Sequence, residues 1–143
     1  MEIKYPIIII SRKSHIEFIK NDKDLRRCNK RALKNGYYNN LSLIDSDSNR
    51  YSIQRAEIEG SIGILWGFNL LKGQQLKVRL IFDEIVNHID LNEFQNLLIK
   101  VINMDKCFWD SDGNLKERIE FIRNTNSIKD IIAKFTYDYY KKY

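Results

Sequence analysis

Residues 64–82 read Ile-Leu-Trp-Gly-Phe-Asn-Leu-Leu-Lys-Gly-Gln-Gln-Leu-Lys-Val-Arg-Leu-Ile-Phe. Ile64, Trp66, Phe68 and Leu70 alternate along the first half, and Leu76, Val78, Leu80 and Phe82 along the second, with Lys72-Gly73-Gln74 as the turn between them. A period of two places each set on one face of a strand. The stretch is expected to be an antiparallel pair with one apolar face, and such a face has to be buried under another layer.

Upstream of it, Leu41 and Leu43 precede Asp45-Ser46-Asp47-Ser48-Asn49, a strong turn composition, and Tyr51 and Ile53 resume the alternation. This predicts a second hairpin, ending at Glu59-Gly60-Ser61. Earlier still, Tyr5-Pro6-Ile7-Ile8-Ile9-Ile10-Ser11 is a continuous β-branched run, as expected of a strand covered on both faces, with Pro6 at its start. Between these strands, Leu25, Cys28 and Ala32 share one helical face and Gly36 follows as a C-cap. A helix over 22–35 is expected, its other face formed by Arg26, Arg27, Lys30, Arg31 and Lys34.

Downstream the period becomes helical. Asp90 and Glu93 have capping-box spacing, and Phe94, Leu97, Leu98, Val101 and Ile102 form an apolar stripe. Trp109 precedes a turn at Asp110-Ser111-Asp112-Gly113, and a short helix is expected around Leu115, Ile119 and Ile122. Ser127 and Asp130 form another cap, ahead of Ile128, Ile131, Ile132 and Phe135. That last helix runs out in Tyr137, Tyr139, Tyr140 and Tyr143; Tyr137, Tyr139 and Tyr140 cannot all face one way, so some tyrosine surface is expected to be exposed, which favours a protein partner or a dimer. The expected fold is α+β: a mainly antiparallel sheet of about four to five strands in β-α-β-β-β-β-α-α order, with helices packed on one face.

The 143 residues suit a single domain, 1–143, long enough for a core without staples. Hydrophobic residues make up 43% and charged residues 30%, a globular and not a disordered composition. Cys28 and Cys107 stand in no paired motif, which favours a reducing compartment. The isoleucine run is too short for a signal-peptide core or a membrane span, so a cytoplasmic protein is expected. The net charge is +5, but residues 1–36 hold ten Lys and Arg against four Asp and Glu, while the rest hold fourteen against fifteen. All the net basicity lies in the first quarter of the chain, which bears on partners more than on fold.

Several residue sets have the composition of a site. Asp45-x-Asp47-x-Asn49 and Asp110-x-Asp112-x-Asn114 resemble the start of calcium loops. Arg50 and Ala56, and Leu115 and Phe121, stand where the loop needs glycine and a bidentate glutamate, so both read as turns. Glu84 and His88 at i, i+4 lack a third metal ligand. A Cys or Ser nucleophile would need His15 or His88 as base, and neither has a recognised context. Asp83 and Glu84 end the apolar strand and read as ordinary strand-end polarity. No catalytic residue, metal or cofactor is expected. The basic face of Arg26, Arg27, Lys30, Arg31 and Lys34 offers phosphate-binding chemistry, with a solvated helix face as the plainer alternative and contact with an acidic protein surface as a third. Trp66 belongs to the alternating apolar set and reads as core. Trp109, beside a turn, reads as a core cap or as an exposed interface anchor.

The run from Leu43-Ile44-Asp45-Ser46-Asp47 and Arg50-Tyr51-Ser52-Ile53, through Trp66-Gly67-Phe68 and Leu76-Lys77-Val78-Arg79-Leu80, to Leu91-Asn92-Glu93-Phe94-Gln95-Asn96-Leu97-Leu98, Trp109 and Ser127-Ile128-Lys129-Asp130-Ile131-Ile132 resembles, in layout, small bacterial immunity proteins of polymorphic-toxin and contact-dependent growth-inhibition systems. The resemblance spans roughly residues 41–133. It implies a cytosolic, non-enzymatic antidote that occludes a cognate protein toxin, often a nuclease. It carries no binding residue over. Antidotes to basic nucleases tend to be acidic, because opposite fields steer association. This basic chain therefore fits a neutral or acidic toxin, or a local acidic patch. The residues expected to meet a partner are Trp109, Asp110, Asp112, Asp83 and Glu84. The alternative is a nucleic-acid-binding protein using the basic helix 20–34.

Overall fold

A computed structural model describes residues 2–11, 15–39, 41–63, 68–69 and 73–142. Strand β1 (Ile7–Ile10) lies inside the molecule, with all four isoleucines buried. Successive strand side chains point to opposite faces. Ile8 and Ile10 therefore enter one core, and Ile7 and Ile9 a second core behind it. This is why the run is β-branched throughout instead of alternating.

On one side β1 pairs antiparallel with β2 (Ile16–Ile19), and on the other with β4 (Ser42–Ile44). The expected hairpin over 41–53 is present. β4 pairs with the start of β5 (Asn49–Ser61), Ser42 opposite Ser52 and Ile44 opposite Arg50. β5 then leaves β4 and pairs with β7 (Gly73–Phe82), from Ile53 opposite Phe82 to Ser61 opposite Leu76. Its register is interrupted between Ile53 and Arg55 and between Ile58 and Gly60. Such irregularities bend a strand and raise its twist, so one strand serves both halves of a curled sheet. The strand order is β2-β1-β4-β5-β7-β3, with β3 spanning Arg27–Asn29. Two short strands, β6 (Phe68–Asn69) and β8 (Asn87–His88), attach to β7 and β5.

The fold is α+β as expected, with more strands than the four to five expected. Three features correct the sequence reading. The return strand of residues 76–82 takes β5 as its long partner; beside Gly73, among the described residues of the expected first arm, Phe68 and Asn69 pair with Gln74 and Gly73. Ile64, Trp66, Leu70 and Lys72 lie outside the described residues. β2 had no place in the expected order, although Ile16 and Phe18 alternate into the first core.

The third correction concerns residues 22–35, which do not form one helix. They form α1 (Asp22–Leu25), β3 and α2 (Lys30–Lys34). One asparagine, Asn21, caps the start of the segment, and a second, Asn29, caps a new helix within it. The Asn21 carboxamide accepts the Asp24 N–H at 3.0 Å, and the Asn29 carboxamide accepts the Arg31 N–H at 2.7 Å. Asparagine competes with helix continuation in this way and favours caps. Between the caps the chain pairs with β7, where the Val78 N–H donates to the Arg26 carbonyl at 2.9 Å. Leu25 and Cys28 are buried as their spacing predicts, but in the second core.

The helical layer covers the Ile8/Ile10 face. α3 (Leu91–Met104) starts at the Asp90 cap, whose carboxylate accepts the Glu93 N–H at 2.8 Å, and buries Phe94, Leu98, Val101 and Ile102. α4 (Lys106–Trp109) is a single turn. α5 (Leu115–Asn124) buries Ile122, and Gln95 of α3 donates to the Ile122 and Thr125 carbonyls at its C-terminal end, at 2.7 and 3.0 Å. That side chain satisfies carbonyls a helix end leaves unpaired and fixes the two helices together. α6 (Ile128–Lys142) is capped by Ser127, whose hydroxyl accepts the Asp130 N–H at 3.2 Å, and buries Ile128, Ile131, Ile132 and Phe135. Its C-terminal part meets α1: the Tyr140 hydroxyl donates to Asp24 at 3.4 Å, and the Lys20 ammonium stands 4.2 Å from the centre of the Tyr140 ring. Among the described residues no helix is long and apolar enough to cross a membrane.

Candidate partner-docking site

Phe18, on the helix-facing side of β2, stacks on Phe135 of α6 with ring centres 5.6 Å apart and meets Trp109 of α4 edge-on at 6.5 Å. Trp109 also lies edge-on to Phe135 at 6.1 Å and to Phe108 at 5.3 Å. The rings grade from core to surface: Phe18 and Phe135 are buried, Trp109 is half-buried, Phe108 is 53% exposed and Tyr139 is 37% exposed. Aromatic rings in these tilted and edge-on arrangements gain beyond their area burial. A cavity of about 80 Å³ opens among Phe18, Phe108, Trp109, Arg118, Phe135 and Tyr139.

The Asp110–Gly113 turn forms the polar rim. The Asp110 carboxylate accepts the Leu115 N–H at 3.2 Å, and Gly113, at φ +75°, closes the turn with its N–H on the Asp110 carbonyl at 2.9 Å. Asp112 receives both ends of the Arg118 guanidinium, Nη1 at 2.7 Å and Nη2 at 2.5 Å. Nη1 also donates to the Trp109 carbonyl at 2.5 Å. A two-point pair of this kind is strong and directional, and the hydrogen bond to Asp112 raises the Arg118 guanidinium above its ordinary pKa. Arg118 thereby ties α4, the turn and α5 together beneath the Trp109 ring.

Of the residues expected to meet a partner, the structure brings Trp109, Asp110 and Asp112 to this one place. Asp83 and Glu84 are exposed at the end of β7, where the Asp83 N–H donates to the Ser52 carbonyl. β1, β4 and β5 lie between that strand and β2. Asp83 instead borders a polar groove of about 730 Å³ with Ser42, Arg50, Ser52 and Gln54. Residues missed in the sequence are Phe18, Phe108 and Arg118; Tyr139 belongs to the terminal tyrosines expected to be partly exposed, and is 37% exposed. Phe108-Trp109 beside an aspartate turn was the available signal for Phe108; Phe18 and Arg118 converge only through packing.

The other sequence candidates stand as follows. Asp45 is fully buried and accepts the Asp47 and Asn49 N–H groups at 3.0 and 2.8 Å, the turn geometry expected in place of a calcium loop. His88 is exposed in β8. His15 reaches Glu17 at 3.1 Å, and Glu17 accepts the Tyr37 hydroxyl at 2.5 Å, but the imidazole is 66% exposed, so water screens the pair. Burial pushes the Cys28 thiol up, the reverse of nucleophile activation. Among the described residues no three His, Cys, Asp or Glu side chains converge to hold a metal. The basic set is divided: Arg26 is bound to Asp22 at 2.7 Å, Arg27 lies on β3, and Lys30, Arg31 and Lys34 lie on α2. No family model, curated protein or solved structure matches the chain.

Proposed function

We propose that the chain is a non-enzymatic protein-binding module that docks a protein partner through the Phe108–Trp109–Tyr139 surface, in the manner of a bacterial immunity protein occluding its cognate toxin. The observation that carries this reading is the aromatic cluster, which starts in the core at Phe18 and Phe135 and ends in the open at Phe108 and Tyr139. Interfaces concentrate their affinity in aromatic and arginine anchors ringed by polar groups, and rigid anchors lose little entropy on binding. Here Trp109 is held by two rings of the core and by Arg118 beneath its carbonyl. Asp112 is neutralised by Arg118 and Asp138 is paired with Lys134, while among the described residues the Asp110 carboxylate accepts only the neutral Leu115 N–H. Asp110 thus gives the rim a local negative charge, which suits a basic partner surface despite the net charge of the chain.

The test is co-expression with the product of the adjacent upstream gene. Rescue of growth from that product, a nanomolar complex, and weakening of both by Trp109→Ala and Phe108→Ala are expected. If the folded protein neither rescues growth nor forms a complex, the reading fails.

A further inference from the structure

We propose that the hollow between α2 and the start of β7 binds the phosphodiester backbone of a nucleic-acid duplex. This inference is independent of the docking site above. The hollow, about 500 Å³, is lined by Asn29, Lys30, Arg31, Lys34, Asn35, Gly73 and Gln74, and no carboxylate is among the described residues that border it.

Three cations sharing one hollow set it apart. Several cations elsewhere are neutralised locally: Arg26 with Asp22, Arg55 and Arg79 with Glu57, Lys77 with Glu59, Arg118 with Asp112, and Lys134 with Asp138; others, such as Lys116, Arg123 and Lys129, are exposed singly. Among the described residues Lys30, Arg31 and Lys34 have no ion-pair partner, and all three are exposed. Lys30 and Lys34 stand one helical turn apart, where like charges repel. A bound polyanion relieves that repulsion. Arg27 lies on the same face of β3 as Asn29, two residues away, and extends the basic track toward β7.

The hollow is built by its neighbours. The Asn29 oxygen is occupied by the Arg31 N–H, which turns the amide nitrogen of Asn29 over Gly73; a Cβ at Gly73 would lie 3.4 Å from it. Gly73 has φ +68°, the left-handed region that favours glycine. The strand therefore turns closely under α2 and leaves the cations facing outward above it.

The lining selects the ligand. Lysine, arginine and side-chain amides are the usual contacts to phosphate oxygens, and these contacts carry no base information. Among the described residues that line the hollow none is aromatic, whereas proteins that hold unpaired bases stack them on aromatic side chains. A duplex, which presents phosphates at regular intervals whatever its sequence, fits this chemistry better than a single strand. An acidic protein surface would find no apolar anchor here.

The test is fluorescence anisotropy with short RNA and DNA duplexes and the full-length protein. Three neutralised phosphates predict that log affinity falls against log salt with a slope of about −2.7, so binding weakens about 40-fold between 50 and 200 mM salt. The triple variant Lys30→Gln, Arg31→Gln, Lys34→Gln should lose at least about tenfold in affinity at low salt. The matched variant Lys116→Gln, Arg123→Gln, Lys129→Gln removes the same charge from exposed positions on α5 and α6 and should stay close to the native protein. Circular dichroism melts check that both fold. Binding of either duplex with this pattern supports the site. Absence of binding at 50 mM salt, equal loss in the two variants, or tighter binding of polyglutamate than of duplex overturns it.

Discussion

The Tyr51 hydroxyl donates to the Asp45 carboxylate at 3.1 Å, and this bond closes a knot that joins the first strand to the first hairpin. Asp45 is fully buried. Besides Tyr51 it accepts the N–H groups of Lys4, Asp47 and Asn49 at 3.3, 3.0 and 2.8 Å, and the Asn49 amide at 3.3 Å. Next to it, the Ser46 N–H donates to the Lys4 carbonyl and the Ser46 hydroxyl to the Pro6 carbonyl at 2.6 Å. The turn thus holds the entry to β1 from both of its first two residues. A buried carboxylate is tolerated when its lone pairs are this fully used.

Removing the acceptor orphans several buried donors at once, whereas removing one donor leaves the carboxylate well bonded. Asp45→Ala should cost about 3 kcal/mol or more, and Tyr51→Phe about 1 kcal/mol. Urea unfolding measures both. Equal costs would show that the carboxylate does not organise the turn.

The same bond makes stability sensitive to alkali. Burial, and then the Asp45 charge, push the Tyr51 phenol up to about 12 from an ordinary value of 10.0. Burial also raises Tyr37 and Tyr38, whose hydroxyls donate to Glu17 and to the Leu25 carbonyl. A raised folded-state pKa contributes stability that is whole below the unfolded value and is lost as pH climbs through the folded one. The melting temperature should hold up to about pH 10 and fall between pH 10 and 12. A flat profile across that window would contradict the burial of these hydroxyls.

Thr136 is 6% exposed on α6, and its hydroxyl is buried without a hydrogen-bond partner among the described residues. Thr136→Val replaces that hydroxyl by a methyl of similar shape. The variant should match or exceed the native stability, by up to about 1 kcal/mol, since an unsatisfied buried polar group is a cost. A destabilised variant would reveal that the hydroxyl has a partner after all.

The aromatic cluster separates stability from binding. Phe135→Ala opens the core beneath Phe18 and Trp109 and should cost about 3–5 kcal/mol. Phe108→Ala removes a ring that is 53% exposed and should cost less than about 1 kcal/mol, while weakening the partner complex. Chemical denaturation and partner titration on the two variants test this contrast.

The two thiols should differ as sharply. Cys107 is exposed, whereas Cys28 is buried and its thiol is raised by that burial. A maleimide should label Cys107 in the native protein and Cys28 only after unfolding. Fast native labelling of Cys28 would show that the second core opens readily.

Much of this architecture could be read from local chemistry. The Asp90 and Ser127 caps, the stripe from Phe94 to Ile102, the Asp45–Asn49 turn and the doubly covered isoleucines all stand where the sequence puts them, because each is set by neighbours within a turn or two of chain. That Trp109, Asp110 and Asp112 lie together in the proposed docking surface follows from their adjacency in sequence. Asp83 and Glu84 were grouped with them only by charge, and charge carries no information on distance.

Which strands lie side by side, and which rings meet, the tertiary structure alone decided. The apolar spacing of Leu25, Cys28 and Ala32 fits a helix, but Cys28 also sits opposite Leu76 on a strand, and the bonds gained with β7 outweigh a helical preference interrupted at Asn29. β5 likewise reads as a simple hairpin arm until its bulges turn it toward β7. Local patterns fix which side of an element is apolar. Where that side finds cover depends on contacts between residues as distant as Phe18 and Phe135, and no window of sequence contains both.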